Sequence, residues 1–180
     1  MRPEKVMIDM KVRVRPARKK DYDDVKRITA AAYVGAGFVD ADDQSYLPVL
    51  TNIAHRAEHA LLWIAEVDRS IKGAVTVGEP GSEYAEIAAD GELEFRMLAV
   101  DPNVQRSGIG RALVQAVVEH ARTLEEINAV VLSSEESMNG AHRLYASMGF
   151  ERVPERDWAV DEYDVRLLVF RLDLETLASD

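Results

Sequence analysis

The apolar positions of this 180-residue chain change their period from stretch to stretch, and the changes mark out its elements. Residues 12–15 alternate apolar and basic and stop at Pro16, which predicts a short strand. Asp21 then reads as a helix N-cap, with Val25, Ile28 and Ala32 on one helical face and Gly35 and Gly37 at the end. Leu47, Leu50, Ile53, Ala54 and Ala57 recur at helical spacing and predict a second helix. Residues 61–67 and 71–77 are β-type runs joined by Asp68-Arg69-Ser70, the pattern of an antiparallel hairpin.

Residues 78–91 read as a loop, and residues 92–100 as the next strand. Strict alternation puts Leu93, Phe95, Met97 and Ala99 on one face of that strand. Glu92, Glu94, Arg96, Leu98 and Val100 fall on the other, unless a bulge shifts the parity. A helix bearing Ile109, Leu113, Val117 and Leu124 follows, then a short buried strand over 129–132. Asn139 reads as the cap of a helix that carries Ala141, Leu144, Tyr145 and Met148 and closes at Gly149. Strands over 150–153 and 165–172, joined by an acidic loop, complete the chain. This order predicts one mixed α/β domain around a single sheet. The expected organisation is a loose leader over 1–10, one domain over 11–175 and a short tail over 176–180.

Composition narrows the function. The chain has no cysteine, which excludes disulfides, thiolate metal sites and a cysteine nucleophile. A formal net charge of −10 argues against general nucleic-acid binding, which depends on basic surface. No apolar run approaches the roughly 20 residues that span a bilayer, and no apolar signal core follows the N-terminus. A cytoplasmic protein without membrane or nucleic-acid partners is the expectation.

The densest chemical signal is Gln105-Arg106-Ser107-Gly108-Ile109-Gly110-Arg111. It follows a strand and opens a helix. Such a turn offers backbone N–H groups and the positive end of the helix dipole to a pyrophosphate. Glycines let the backbone approach the phosphates, and Arg106 and Arg111 can pair with their charge. A dinucleotide fingerprint requires a third glycine three residues after Gly110, where Leu113 stands. A Walker A loop requires Gly-Lys-Ser/Thr, whereas Arg111-Ala112 follow Gly110.

A second segment gives the turn a context. Asn139-Gly140-Ala141 with Leu144-Tyr145-Ala146-Ser147-Met148-Gly149-Phe150 resembles the tyrosine helix of the GNAT superfamily of N-acetyltransferases. Residues 98–102 with 105–113 are similar to that family's acetyl-CoA motif, and Val14-Arg15-Pro16-Ala17 with Asp21 resembles its first strand and helix start. The resemblance runs from about residue 12 to 172. It implies a GNAT-like, mostly antiparallel sheet flanked by about four helices, with acetyl-CoA as cosubstrate and no metal.

The resemblance also implies roles. Gln105, Arg106, Ser107, Gly108, Ile109, Gly110 and Arg111 would hold the pyrophosphate, and the main chain of Leu98, Ala99 and Val100 the pantetheine arm. Asn139 would contact the cofactor, cap its helix, or both. Tyr145 would donate a proton to the leaving sulfur, a role open to a phenol of pKa about 10. Glu94, with Glu92 second, would take the proton of the amine. His55 and His59 lie four apart but lack the His-Glu-x-x-His order and read as helix surface.

The acceptor is shaped by residues 35–44, the second helix and residues 154–164. Asp40, Asp42 and Asp43 in the first loop, and Glu155, Asp157, Asp161, Glu162 and Asp164 in the second, predict a small cationic amine. A protein N-terminus or lysine, and a non-catalytic acyl-CoA-binding module, are the alternatives. Either a monomer or a homodimer fits the apolar last strand.

Overall fold

The computed structural model describes residues 11–175; the leader and tail expected over 1–10 and 176–180 lie outside the described residues. Strands β1 (Arg13–Pro16), β2 (Leu61–Val67), β3 (Ser70–Gly78), β4 (Glu92–Val100), β5 (Ala129–Glu135), β6 (Glu151–Arg152), β7 (Trp158–Val160) and β8 (Val165–Asp173) form one sheet. Its order is β1-β2-β3-β4-β5-β8-β6, with β7 also on β8, and only the β4–β5 pair is parallel. The β2–β3 hairpin turns through Asp68 and Arg69, both at positive φ, which suits the twist of a tight two-residue turn. The stretch read as an acidic loop contains β7, so the last hairpin carries one strand more than expected.

Helices α1 (Tyr22–Gly35), α2 (Leu47–Thr51), α3 (Ile53–His59), α4 (Ile109–Arg122) and α5 (Asn139–Ser147) flank the sheet. The single helix expected around Leu47 is two. Asn52 leaves helical geometry at ψ 72°, and its side-chain oxygen accepts from His55 N at 3.4 Å, capping α3. Asp21 does precede α1, but its carboxylate does not cap it. That carboxylate accepts from Arg18 N at 2.8 Å and from Arg15 at 2.7 Å. Asn139 is the first residue of α5, with Met138 in the cap position, and it donates to Ser137 O at 3.1 Å.

Two apolar layers hold the helices. Val25 and Ile28 of α1 and Ile53 of α3 pack with Ile64, Ala74 and Ala99 on one face. Ile109, Leu113 and Val117 of α4 pack with Leu93, Phe95, Tyr145 and Phe170 on the other. No helix among the described residues is long and apolar enough to cross a membrane.

Strand β4 departs from strict alternation, and the departure makes the site. Its register with β3 runs Gly73↔Val100 and Ala74↔Ala99, then Thr76↔Arg96. One extra residue on β4 is absorbed around Met97, which sits at φ 55°. Beyond this bulge the faces swap. Leu98 and Val100 join Leu93 and Phe95 on the α4 side, and Ala99 turns to α1. The expectation that Glu92 and Glu94 share a face with Leu98 and Val100 therefore fails. The alternation behind it assumed an unbroken pleat.

Strand β4 also parts from β5. The two pair only at Glu92↔Ala129, Leu93↔Val130 and Glu94↔Val131. Strand β5 continues against β8 as far as Glu135, so the rest of β4 has no strand on that edge. A wedge opens between them.

Candidate active site

The wedge leads into a cavity of about 910 Å³. Leu98 and Val100 of β4, the turn residues Gln105, Arg106, Gly108, Ile109, Gly110 and Arg111, and Asn139 of α5 all line it. Gly108 adopts φ 84°, a left-handed conformation that costs glycine little, and α4 starts directly after it. The first backbone hydrogen bond of α4 is Ala112 N to Gly108 O at 3.0 Å. The N–H groups of Ile109, Gly110 and Arg111 thus have no carbonyl within the helix to bond, which is the donor set that an anion takes up.

Two expected residues contribute differently. The side chain of Ala99 packs into the α1 layer and does not line the cavity. Ser107 donates its hydroxyl to Val104 O, tying the turn together behind the lining. Arg111 donates to Ser147 Oγ at 2.6 Å, so its guanidinium links the turn to α5 as well as facing the cavity. Gly110 brings the two helices close, since a Cβ there would lie 3.2 Å from Leu144 Cδ2.

Arg143 lines the cavity and was not anticipated. It stands four residues after Asn139, one helical turn on, and that spacing was the signal available in the sequence. With Arg106 and Arg111 it makes three guanidinium groups around the cavity, and no carboxylate lines it. The charge complements an anionic ligand such as a nucleotide diphosphate. Tyr33, Ala36 and Phe38, from α1 and the loop after it, form the opposite wall.

Tyr145 is buried against Phe95, Phe150 and Phe170, with ring centroids 5.9, 5.9 and 5.6 Å away. It is not among the cavity-lining residues. Burial pushes its phenol above the ordinary range, so it keeps its proton through neutral pH. Across the wedge, burial likewise raises Tyr33, and Tyr145 lies near enough to add to the shift.

The two glutamates have different surroundings. Glu92 is clamped: its oxygens each accept from Arg156 at 2.9 Å, and it also accepts from Arg171 at 2.8 Å and Ala89 N at 3.0 Å. Burial works against its charge, but these donors outweigh burial and hold the carboxyl at about 2. A carboxylate so bound is a weaker base than an unpaired one, which sets Glu92 apart from Glu94. Glu94 is fully buried. Its Oε2 accepts from Ile87 N at 2.8 Å and Ala88 N at 3.1 Å, whereas Oε1 is buried and unbonded among the described residues. Burial raises its carboxyl above the ordinary range despite those amides and nearby Arg96.

Beside Glu94 lies a polar group to which the sequence pattern assigned no role. Arg96, on the same face of β4, pairs with Glu86 at 3.2 Å and sits 6.0 Å from the Tyr84 ring centroid. Arg56 of α3 is fully buried, donates to Leu50 O, and reaches Thr76 Oγ1 at 3.3 Å. Its Nε has no partner among the described residues. The sequence put Arg56 in a helix whose apolar face was evident, but nothing in its spacing marked an arginine turned inward. Elsewhere, loop residue Glu83 joins His55 and His59 of α3, with ligand-type atoms all within 4.8 Å of one another. Helical spacing revealed only the two histidines.

Comparison with known proteins agrees with this geometry. The family model described as "Acetyltransferase (GNAT) domain" matches residues 58–152. The chain is 40% identical over 68 residues to an N-acetylaspartate synthetase of Danio rerio, covering 38% of this chain and 24% of that protein. It is 39% identical over 74 residues to a mycothiol acetyltransferase of Thermobispora bispora, covering 41% of this chain and 23% of that protein. The chain thus spans about a quarter of the length of these two relatives. The crystal structure of an N-acetyltransferase from Staphylococcus aureus Mu50 superposes with a TM-score of 0.66 at 19% identity, covering 91% of this chain and 99% of that one. The matched residues 58–152 hold the bulged β4, the glycine turn and the tyrosine helix, and with them the chain belongs to the GNAT acetyltransferase family.

Proposed function

We propose that the protein is an acetyl-CoA-dependent N-acetyltransferase in which a primary amine attacks directly within a ternary complex. The observation that carries this reading is the unbonded first turn of α4, ringed by Arg106, Arg111 and Arg143, at the mouth of the wedge. The names of the relatives, an N-acetylaspartate synthetase and a mycothiol acetyltransferase, also speak for acetyl transfer.

Acetyl-CoA supplies an activated carbonyl and a thiolate leaving group. The N–H groups of residues 106–111 hold its diphosphate, with Gln105 and Ser107 shaping the turn. The unpaired edge of β4 at Leu98, Ala99 and Val100 offers main-chain donors and acceptors to the pantetheine arm, as an added strand would. Asn139 and Arg143 close the cavity from α5. Glu94 takes the proton of the amine, which as an ammonium is no nucleophile. Tyr145 keeps a proton available for the sulfur. Holding both reactants in line removes most of the entropic barrier.

Two carboxylates of the acidic loops are engaged locally. Asp157 is held by Arg152 at 2.8 Å and by Val169 N at 2.9 Å, and Asp43 accepts from Ser45 N and Tyr46 N at 2.8 and 2.9 Å. Asp157 is thus paired with a cation, whereas Asp43 meets only backbone amides and a hydroxyl.

Calorimetry with acetyl-CoA, paired with coenzyme A release over an amine panel, tests the function. Saturable binding that Gly110→Glu abolishes, together with amine-dependent release, is expected. Binding without release by any amine would make the protein a sensor, and unimpaired binding by Gly110→Glu would remove the cradle.

A further inference from the structure

We infer that the acceptor is a zwitterion of the amino-acid type, with a carboxylate a few bonds from its amine, and that Arg96 binds that carboxylate while Glu94 faces the amine. The inference rests on the acetyl-transfer reading. It names the acceptor that this site takes.

Glu94 and Arg96 precede the bulge, so they project from the same face of β4, Glu94 opposite Gly78 and Arg96 opposite Thr76. Two residues along a strand span roughly 6–7 Å, so β4 places a carboxylate and a guanidinium a short distance apart. An α-amino acid presents the complementary pair. An amine without a carboxylate matches only half of it, and a dication meets a guanidinium where it needs an anion.

Both charges are incompletely satisfied. Glu94 Oε1 is buried and unbonded, and an ammonium N–H would supply its missing donor. The carboxylate that Arg96 does hold belongs to Glu86, a loop side chain 46% exposed. A pair of that exposure contributes little, so a ligand carboxylate can displace it. The ring of Tyr84, itself buried, backs the guanidinium.

Arg56 sets the sign of the field. It bonds Thr76, the cross-strand neighbour of Arg96, which brings the buried Arg56 guanidinium to the strand position opposite Arg96. The partners of Arg56 are a carbonyl and a hydroxyl, and neither carries charge. Two guanidinium groups with only a displaceable loop carboxylate on the outer one attract an anion to that end of the site. Tyr33 lines the cofactor cavity, and the charges of Arg56 and Arg96 both act on its phenol.

The test compares amino acids with their carboxamides as acceptors, followed by coenzyme A release, with acetyl-CoA affinity measured separately. The wild type should favour the acids by about 10- to 100-fold in kcat/KM, the value of a charge-assisted hydrogen bond. Arg96→Gln should erase that preference by slowing the acids alone, with acetyl-CoA affinity kept. Glu86→Gln, on an exposed loop position that does not threaten folding, should lower KM for the acids and leave the carboxamides unchanged. Equal use of acids and carboxamides by the wild type, or no effect of Glu86→Gln on acid KM, overturns the inference and leaves acetyl transfer standing. Failure to bind acetyl-CoA overturns both.

Discussion

Glu92 and Arg156 form a two-pronged ion pair, each carboxylate oxygen 2.9 Å from one guanidinium nitrogen. The pair ties the first residue of β4 to the turn before β7, 64 residues on. Arg156 also donates to Ile87 O at 2.7 Å, and Glu92 accepts from Ala89 N. Between them they pin both ends of the loop segment whose Ile87 and Ala88 amides grip Glu94. Glu92 thus acts on the candidate base through the loop.

Its depressed pKa fixes the sign of a stability change. A carboxyl held at about 2 when folded, against 4.5 ordinarily, favours the fold when ionised. That stability is present above pH about 4.5 and is lost as pH falls through about 2, on the order of 3 kcal/mol in full. Denaturant midpoints measured from pH 6 to pH 3 should fall steeply for the wild type and less for Glu92→Gln, which starts lower. Parallel profiles would show that the clamp adds no pH-dependent stability.

Glu94 carries the opposite sign. Burial raises its carboxyl, so the folded state disfavours the charge that catalysis needs. The acid limb of kcat/KM should therefore lie above the ordinary glutamate range, with activity falling as pH drops through the raised pKa. Glu94→Gln should lower kcat by about 10²- to 10⁴-fold, the usual worth of a positioned base. At pH 8 the same variant should match or exceed the wild type in Tm, because a buried charge has been removed. Retained activity would shift the proton to another acceptor.

The order of elements, the hairpin, the glycine turn and the tyrosine helix were legible because each is a local pattern. Gly108 at positive φ and Gly149 closing α5 are written into the chain where the backbone needs them. The parity of β4 was not legible past Met97. A bulge is decided by how β3 and β4 settle against two different helix layers, and no residue type announces it. Asn52 splitting a helix is a local cap that outweighs apolar periodicity. Arg56 was not singled out because charged residues are usually solvated, and only tertiary packing reveals which are not.

Tyr145→Phe keeps the ring against Phe95, Phe150 and Phe170 and removes one hydroxyl. That hydroxyl makes no hydrogen bond among the described residues, so its loss should change Tm by little. If it protonates the leaving sulfur, kcat should drop by about 10- to 1000-fold with acetyl-CoA affinity retained. The deficit should shrink for an acyl donor whose leaving group has a lower pKa. A uniform deficit across donors would mark Tyr145 as packing alone.

Gly78 marks the point where the loop after β3 crosses its own strand. A Cβ there would overlap the Tyr84 carbonyl and lie 2.8 Å from Ala85 N, and backbone cannot yield as a side-chain tip can. Gly78→Ala must therefore push the loop away, and with it Tyr84, Glu86 and the Ile87 and Ala88 amides on Glu94. Overpacking of this kind costs about 1–3 kcal/mol. The loss should appear in acceptor KM and kcat, while acetyl-CoA binding at the α4 turn is kept. Gly81→Ala is the control: φ 82° strains the new residue, but nothing lies within 4 Å of its Cβ. It should cost about 1 kcal/mol of stability and leave the acceptor kinetics alone. Equal kinetic damage from both variants would mean that loop strain, and not the contact of Gly78 with Tyr84, governs the acceptor side.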